Sequence, residues 1–428
     1  MAGGPSQIDL FDYKPRLQDL NGQSVPKSVL EGQRFAFIKD DAKLLGSARK
    51  FRRHGQSGAE ISDLLPHTAS VADDLAIIRT MNTDVINHGP AKLLSITGFP
   101  QFGKPSAGAW ITYGLGSENS NLPGFVVLTS GPRGPRGGAQ LWSNGFLPSS
   151  YQGVPFQPTG APVVDLTSPP GVTDSRQRRT LDAVNRLNDI HLQATGDDEI
   201  AARMASYEMA FRMQSSAPDL INLNQESAAT LALYGATPGK PSFANNCLLA
   251  RRLVENGVRY VCLFHTDWDH HGGKDNLDTS LENICRETDK PCAALISDLK
   301  SRGLHDETIV VWGGEFGRTP MGQTVKVVDA NGKPVSPEDR GKMGRDHHIQ
   351  AYSLWLSGGG IQGGQTIGET DELGMFPAQK DQRIHVHDLQ ATILHLLGLD
   401  HLKLTYTFQG RKFRLTDVGG RIVEQLVA

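Results

Sequence analysis

The residues most able to do chemistry in this chain are histidines and carboxylates gathered in short runs that follow apolar stretches. The densest run is HTDWDHHGGKDN, residues 265 to 276, where His265, His270 and His271 alternate with Asp267 and Asp269. Imidazole mixed with carboxylate is the ligand chemistry of zinc, manganese or iron. Asp269 and His271 are the first choice as ligands. Asp267 is a lesser one, and a neighbouring histidine could instead orient a ligand from behind. A second run, GRDHH, brings Asp346, His347 and His348 together. A third, GGEFGRTP, sets Glu315 three residues from Arg318, a carboxylate beside a planar cationic fork. A fourth, NHGPAK, places His88 and Lys92 at the start of a helix, where free backbone N–H groups attract anions. Taken singly, each has a plain reading: a surface salt bridge for Glu315 and Arg318, a helix cap for His88. It is their repetition after one kind of element that favours a shared site.

That element is a buried strand. Residues 75–79 (LAIIR), 258–264 (VRYVCLF), 308–312 (TIVVW) and 350–356 (QAYSLWL) are β-branched and aromatic runs of strand length. The 308–312 run reads as buried on both faces. Helical periodicity fills the intervals, with a helix beginning near Pro90, another at 243–255 ending before Asn256-Gly257, and a third at 388–397 with Asp388 as its N-cap. Strands alternating with helices make an α/β protein, and in open α/β sheets ligands bind at the carboxyl ends of strands. Residues 100 to 175 are rich in Gly, Pro and Ser, but Trp142, Phe146, Tyr151 and Phe156 argue against disorder. Arg133 and Arg136 in this stretch could meet an anionic or sugar substrate. From 174 to 236 the pattern is helical, with Leu181, Val184, Leu187 and Ile190 on one face and Met204, Tyr207 and Phe211 on another. It reads as a lid packed on the sheet, the second stripe being core.

The totals narrow the class. With 428 residues, 38% hydrophobic, 21% charged and a net charge of −3, the chain has no basic footprint for nucleic acid and no apolar run able to span a bilayer. Cys247, Cys262, Cys285 and Cys292 lack the spacing of a zinc clasp and read as small buried hydrophobes. The start, MAGGPSQIDLFDYKP, has neither a basic segment nor an apolar one, which read literally means cytoplasm. Gly3-Gly4-Pro5 with Asp9 and Asp12 looks like a turn that should follow a strand.

Several phrases together resemble a bacterial family, domain-of-unknown-function family 1501, within the alkaline phosphatase and sulfatase superfamily. They are GGPSQIDLFDYKP, NHGPAKLLSITG, LWSNGFLPSSYQGVPF, WDHHGG, WGGEFGRTP, GRDHH and HVHDLQATILHLLGLDHLKLTYTFQGRKFRL, and they span nearly the whole chain. The resemblance implies an alkaline phosphatase-like three-layer sandwich: one domain over 1–428, a mostly parallel central sheet with helices on both faces, and a loop-rich and helical insertion at about 100–236. It implies a metal-dependent hydrolase of sulfate or phosphate esters, acting on small molecules or polysaccharides. Zinc is the expected divalent metal, with calcium or manganese as alternatives. Metal ligands are expected from Asp269, His271, Glu315, His347 and His348, with Asp9 as a further candidate; the superfamily's first strand, which ends in a ligating Asp, would lie before Met1. HGPAKLLSITG is spaced like the sulfatase nucleophile phrase, with His88 at the Cys and Lys92 at the Arg. His88 would then contact the transferred group as nucleophile, ligand or anion partner, while Lys92 and Arg318 neutralise its charge. Family members commonly begin with an export signal, which implies periplasm. Because His88 and Phe316 replace residues essential to the superfamily's chemistry, the alternative is an inactive relative that binds glycans or a protein through the aromatic loop.

Overall fold

A computed structural model describes residues 1–38, 42–157, 163, 166, 168, 170–324 and 341–428. Helices and strands are interspersed along the chain, with a run of helices from Asp174 to Glu255 and a run of strands from Val310 to His385, so the mixed α/β class holds. The strands divide among several sheets, however, and the parallel pairs are a minority. Ala76–Asn82 is the centre of one sheet. It runs parallel to Gln365–Ile367 and Ile384–His385 and antiparallel to Tyr352–Ser357, which is antiparallel in turn to Val310–Trp312. Every residue of Ala76–Asn82 except Arg79 is buried, as its apolar run requires. A second, wholly parallel sheet joins Phe125–Ser130 to Val154–Phe156 and Tyr260–His265, with Ser130 opposite His265 at the carboxyl ends. A third is antiparallel, Gly317–Thr324 between Lys43–Leu44 and Met343–His348.

Tyr352–Ser357 follows Met343–His348 after only three residues, yet the two strands belong to different sheets, so this short link ties the third sheet to the first. Val310–Trp312 pairs on one side only, and Val311 is 44% exposed, so this strand is not buried on both faces as expected. Between its end and that of Tyr260–His265 lie the first residues of the chain. Met1 N donates to the Gly313 carbonyl at 2.7 Å, and Ala2 N to the His265 carbonyl at 2.7 Å.

Helix 243–255 lies as expected, capped by Ser242, whose hydroxyl accepts from Asn245 N–H. The helix at the chain's end is Val386–Leu396. Its N-cap is His385 rather than Asp388, which sits three residues on and closes a capping box by accepting from His385 N–H. The insertion forms helices Asp174–Thr195, Asp198–Ile221 and Ala228–Tyr234. The first buries none of its residues, and Leu187 and Ile190 stand exposed. The second packs inward through Met213, Ala217 and Leu220, while Tyr207, expected in the core, is exposed. The aromatics of the Gly/Pro-rich stretch are held by packing. Trp142 meets Phe264, Tyr151 meets Tyr113, and Phe146 stacks on Tyr406 and Phe408. All four cysteines are free thiols, three of them buried. Among the described residues no helix is long and apolar enough to cross a membrane.

Candidate metal centre

Four of the sequence-nominated side chains meet. His88, Asp269, His271 and His347 each offer a ligand atom, and these atoms lie within 4.8 Å of one another. They come from separate places: the first turn of helix His88–Thr97, the loop after Tyr260–His265, and the strand Met343–His348. Asp269 is the hub. Its Oδ2 is 3.0 Å from His88 Nε2, and its Oδ1 is 2.8 Å from His271 Nε2 and 3.4 Å from His347 Nε2.

The other nitrogen of each imidazole is spoken for. His88 Nδ1 lies 2.6 Å from Glu315 Oε1, His271 Nδ1 lies 2.7 Å from Gln323 Oε1, and His347 Nδ1 lies 2.8 Å from the Ile86 carbonyl. A carboxylate, an amide oxygen and a carbonyl can only accept, so each Nδ1 carries the proton and each Nε2 presents a lone pair inward. Metal-binding histidines are oriented in this way. The consequence is sharpest where His271 Nε2 and His347 Nε2 face each other at 2.9 Å. Two lone pairs at that distance repel unless a cation or a proton stands between them. Burial, opposed by the Asp269 carboxylate beside the ring, pushes the His347 pKa down to about 4, which favours the neutral form. Burial would raise the Asp269 carboxyl, but the Arg318 charge and the imidazoles outweigh it and hold the group far below the usual carboxylate range.

The remaining nominated residues surround this cluster rather than join it. Glu315 was expected as a ligand, but its carboxylate is occupied by His88, by Lys92 Nζ at 2.7 Å and by Gly3 N–H at 3.1 and 3.2 Å. Burial opposes its ionisation, yet the Lys92 charge and the His88 hydrogen bond hold its pKa well below the usual range. Lys92 is therefore paired inward with this acid. Arg318 is fully buried, donating to the Gly4 carbonyl at 2.8 Å, the Arg345 carbonyl at 3.0 Å and Asp269 Oδ1 at 2.7 Å, so it steadies the hub. Asp9 lies apart, bound by Arg345 at 2.8 and 3.3 Å and by Ser6 at 2.5 Å. His348 is also apart. Successive strand residues point to opposite faces, and its Nε2 reaches the Met375 carbonyl at 2.6 Å. Asp346 accepts from the backbone N–H groups of Phe37 and Ile38. Asp267 pairs with Arg133 at 2.8 Å.

Three contributors gave no signal in the sequence: Gln323, the Ile86 carbonyl and Phe37, whose half-exposed ring stands edge-on to His271 and His347 at 5.0 and 5.9 Å. Glycine makes the close approach possible. A Cβ on Gly344 would fall 2.1 Å from Gly272 N and 2.2 Å from the His271 carbonyl carbon, so only glycine lets the ligand loop lie on this strand. Gly317 begins a strand, and a Cβ there would strike Gln7 and Tyr352.

The chain belongs to the DUF1501 family, proteins of unknown function, whose family model matches residues 1–427. Among curated proteins none matches the sequence. Similar solved structures include the lipoteichoic acid synthase LtaP from Listeria monocytogenes, 11% identical, with 85% of this chain and 72% of that one covered at a TM-score of 0.37. Ps i-CgsB in complex with k-i-k-neocarrahexaose is another, 12% identical, with 78% and 67% covered at a TM-score of 0.35. At these scores neither likeness bears on the chemistry of the centre.

Proposed function

We propose that this protein is a metal-dependent hydrolase of sulfate or phosphate esters, with His88, Asp269, His271 and His347 as the metal ligands. One observation carries the reading: three Nε2 lone pairs and a carboxylate converge, each imidazole fixed from behind. A tetrahedral zinc site with bonds of about 2.0–2.1 Å separates its ligands by roughly 3.3–3.4 Å. Pairs at 2.8 to 3.4 Å need only a slight outward movement. Three nitrogens and one oxygen suit zinc or manganese, whereas calcium takes oxygen ligands, so this donor set ranks calcium last.

A divalent cation here would supply Lewis-acid chemistry to an ester oxygen. The chain's own residues do the rest. Glu315 holds the proton of His88 on Nδ1, Lys92 balances the Glu315 charge, and Arg318 holds Asp269 in place. These groups serve the ligands rather than the substrate, which replaces the direct roles expected for Lys92 and Arg318. His88 becomes a ligand rather than a nucleophile, because both ring nitrogens face carboxylates. The superfamily reading also has the separate sheets forming one three-layer sandwich in a single domain, and the protein acting in the periplasm on small or polysaccharide esters. The glycan-binding alternative would use Trp142 and Tyr151, which are half-buried and pack beside Phe264 and Tyr113.

Elemental analysis of the purified protein tests the reading, together with a panel of aryl sulfates, aryl phosphates and sulfated oligosaccharides. Stoichiometric zinc or manganese, lost in His271→Ala along with turnover, is expected. Protein that takes up no divalent metal and cleaves no ester would overturn it.

A further inference from the structure

A second cavity stands apart from the candidate metal centre. It measures about 810 Å³ and opens where the parallel strands Phe125–Ser130 and Tyr260–His265 end, the rim at which α/β sheets bind ligands. Its floor is His265, 2% exposed, whose Nδ1 lies 2.9 Å from Ser130 Oγ. The buried Nε2 has no hydrogen-bond partner. Glu287 comes within 3.5 Å of it, but that side chain is 64% exposed and makes no hydrogen bond there. When the Ser130 hydroxyl donates to Nδ1, Nε2 carries the hydrogen and is an unused donor on a residue that lines the cavity.

Two further donors face the same space. Helix Phe243–Glu255 begins at the wall, where Phe243 and Ala244 bring first-turn N–H groups without intrahelical partners. Lys290 stands half-buried in the wall without an ion-pair or hydrogen-bond partner among the described residues. Arg133 and Arg286 lie at the edge, each already paired with a carboxylate. A buried neutral donor, a helix start and an unpaired ammonium around one space are the elements of an oxyanion site.

We propose that this cavity binds an oxyanion substituent, a sulfate, phosphate or carboxylate group. On the ester-hydrolase reading above, that group belongs to the unit next to the one being cleaved. The connection to the metal centre is short. His265 and Asp269 are only four positions apart, a span of at most about 14 Å. One polyanionic chain could thus reach both places.

Selenate, a sulfate mimic with an anomalous signal, would be diffused into crystals of the full chain and of the Lys290→Gln and His265→Gln variants. Sulfate affinity would be titrated in solution on the same proteins. Selenate is expected in the cavity within hydrogen-bond reach of His265 Nε2 and Lys290 Nζ. Losing one charge-assisted hydrogen bond should weaken sulfate binding about 10-fold or more in Lys290→Gln. The same variant should lower, by about 10-fold, the ratio of kcat/KM for a polysulfated oligosaccharide to that for a monosulfated aryl ester. Selenate absent from the cavity, or bound equally well in both variants, would overturn the proposal. Selenate bound there in a protein that cleaves no ester keeps the site and removes the hydrolase reading. Turnover whose ratio is unmoved by Lys290→Gln, with no selenate in the cavity, removes the site alone.

Discussion

Replacing Glu315 with glutamine separates two jobs that the structure gives to one carboxylate. Glu315 and Lys92 are 3% and 5% exposed and 2.7 Å apart, so the substitution strands a buried ammonium. Breaking such a pair from one side costs about 3–5 kcal/mol of stability. Glutamine can still accept from His88 Nδ1 but no longer enriches the ring with negative charge, and changes of this kind typically weaken metal binding about 10–100-fold, roughly 1.4–2.8 kcal/mol. The double variant Glu315→Gln/Lys92→Met tells the two effects apart. Without the stranded charge it should regain most of the stability, since apolar replacement of a buried pair is often neutral. Its zinc affinity should stay low. Denaturant titration of chelator-treated protein gives the first quantity, and competition with a chromophoric chelator gives the second. If zinc affinity returns together with stability, the Glu315 charge acts only through the fold, and its role in enriching the His88 ring is wrong.

Other outcomes follow from the same geometry. Gln323→Leu removes the acceptor behind His271 and should cost about 10-fold or more in zinc affinity with little change in fold, as read by the same competition. Gly344→Ala forces the 270–272 loop away from its strand and should abolish stoichiometric metal; a variant that binds metal normally would show that the contact is tolerated. Stability should also depend on pH. Burial pushes His265 and His348 down to about 4 and His270 to about 3, so all three are neutral in the folded protein. Unfolded, they titrate near about 6.5 and bind more protons. Stability should therefore fall as pH drops from about 6.5 toward about 4, at up to about 4 kcal/mol per pH unit for three protons. Equal unfolding midpoints in metal-free protein at pH 6.5 and pH 5 would contradict it.

Much of the candidate centre could be read from the order of residues, because three of its four side chains sit in a loop or strand bordering apolar runs that announce themselves. Asp269, His271 and His347 stood out for that reason, and the strands at 76–82 and 260–265 lay close to their expected places. What could not be read was how each polar group is satisfied. Nothing near Glu315 in sequence says that Lys92, 223 positions earlier, and Gly3, 312 positions earlier, fill its lone pairs. Asp9 looked free until Arg345 was brought beside it. The pair His347 and His348 posed a different problem. Alternation along a strand sends one ring to each face, but the choice depends on register with Gly317–Thr324, and a bulge between Arg345 and His347 sets that register. Sheet direction was lost for a similar reason, since apolar content does not record which neighbour a strand will take.

Two imidazole nitrogens that confront each other at 2.9 Å stand closer than the ligands of a tetrahedral zinc, so a dication held between them would have to part the 269–271 loop from the strand Met343–His348. On the metal reading, loading should therefore be seen as a widening of that gap, and acid strong enough to protonate the rings should empty the centre without a chelator.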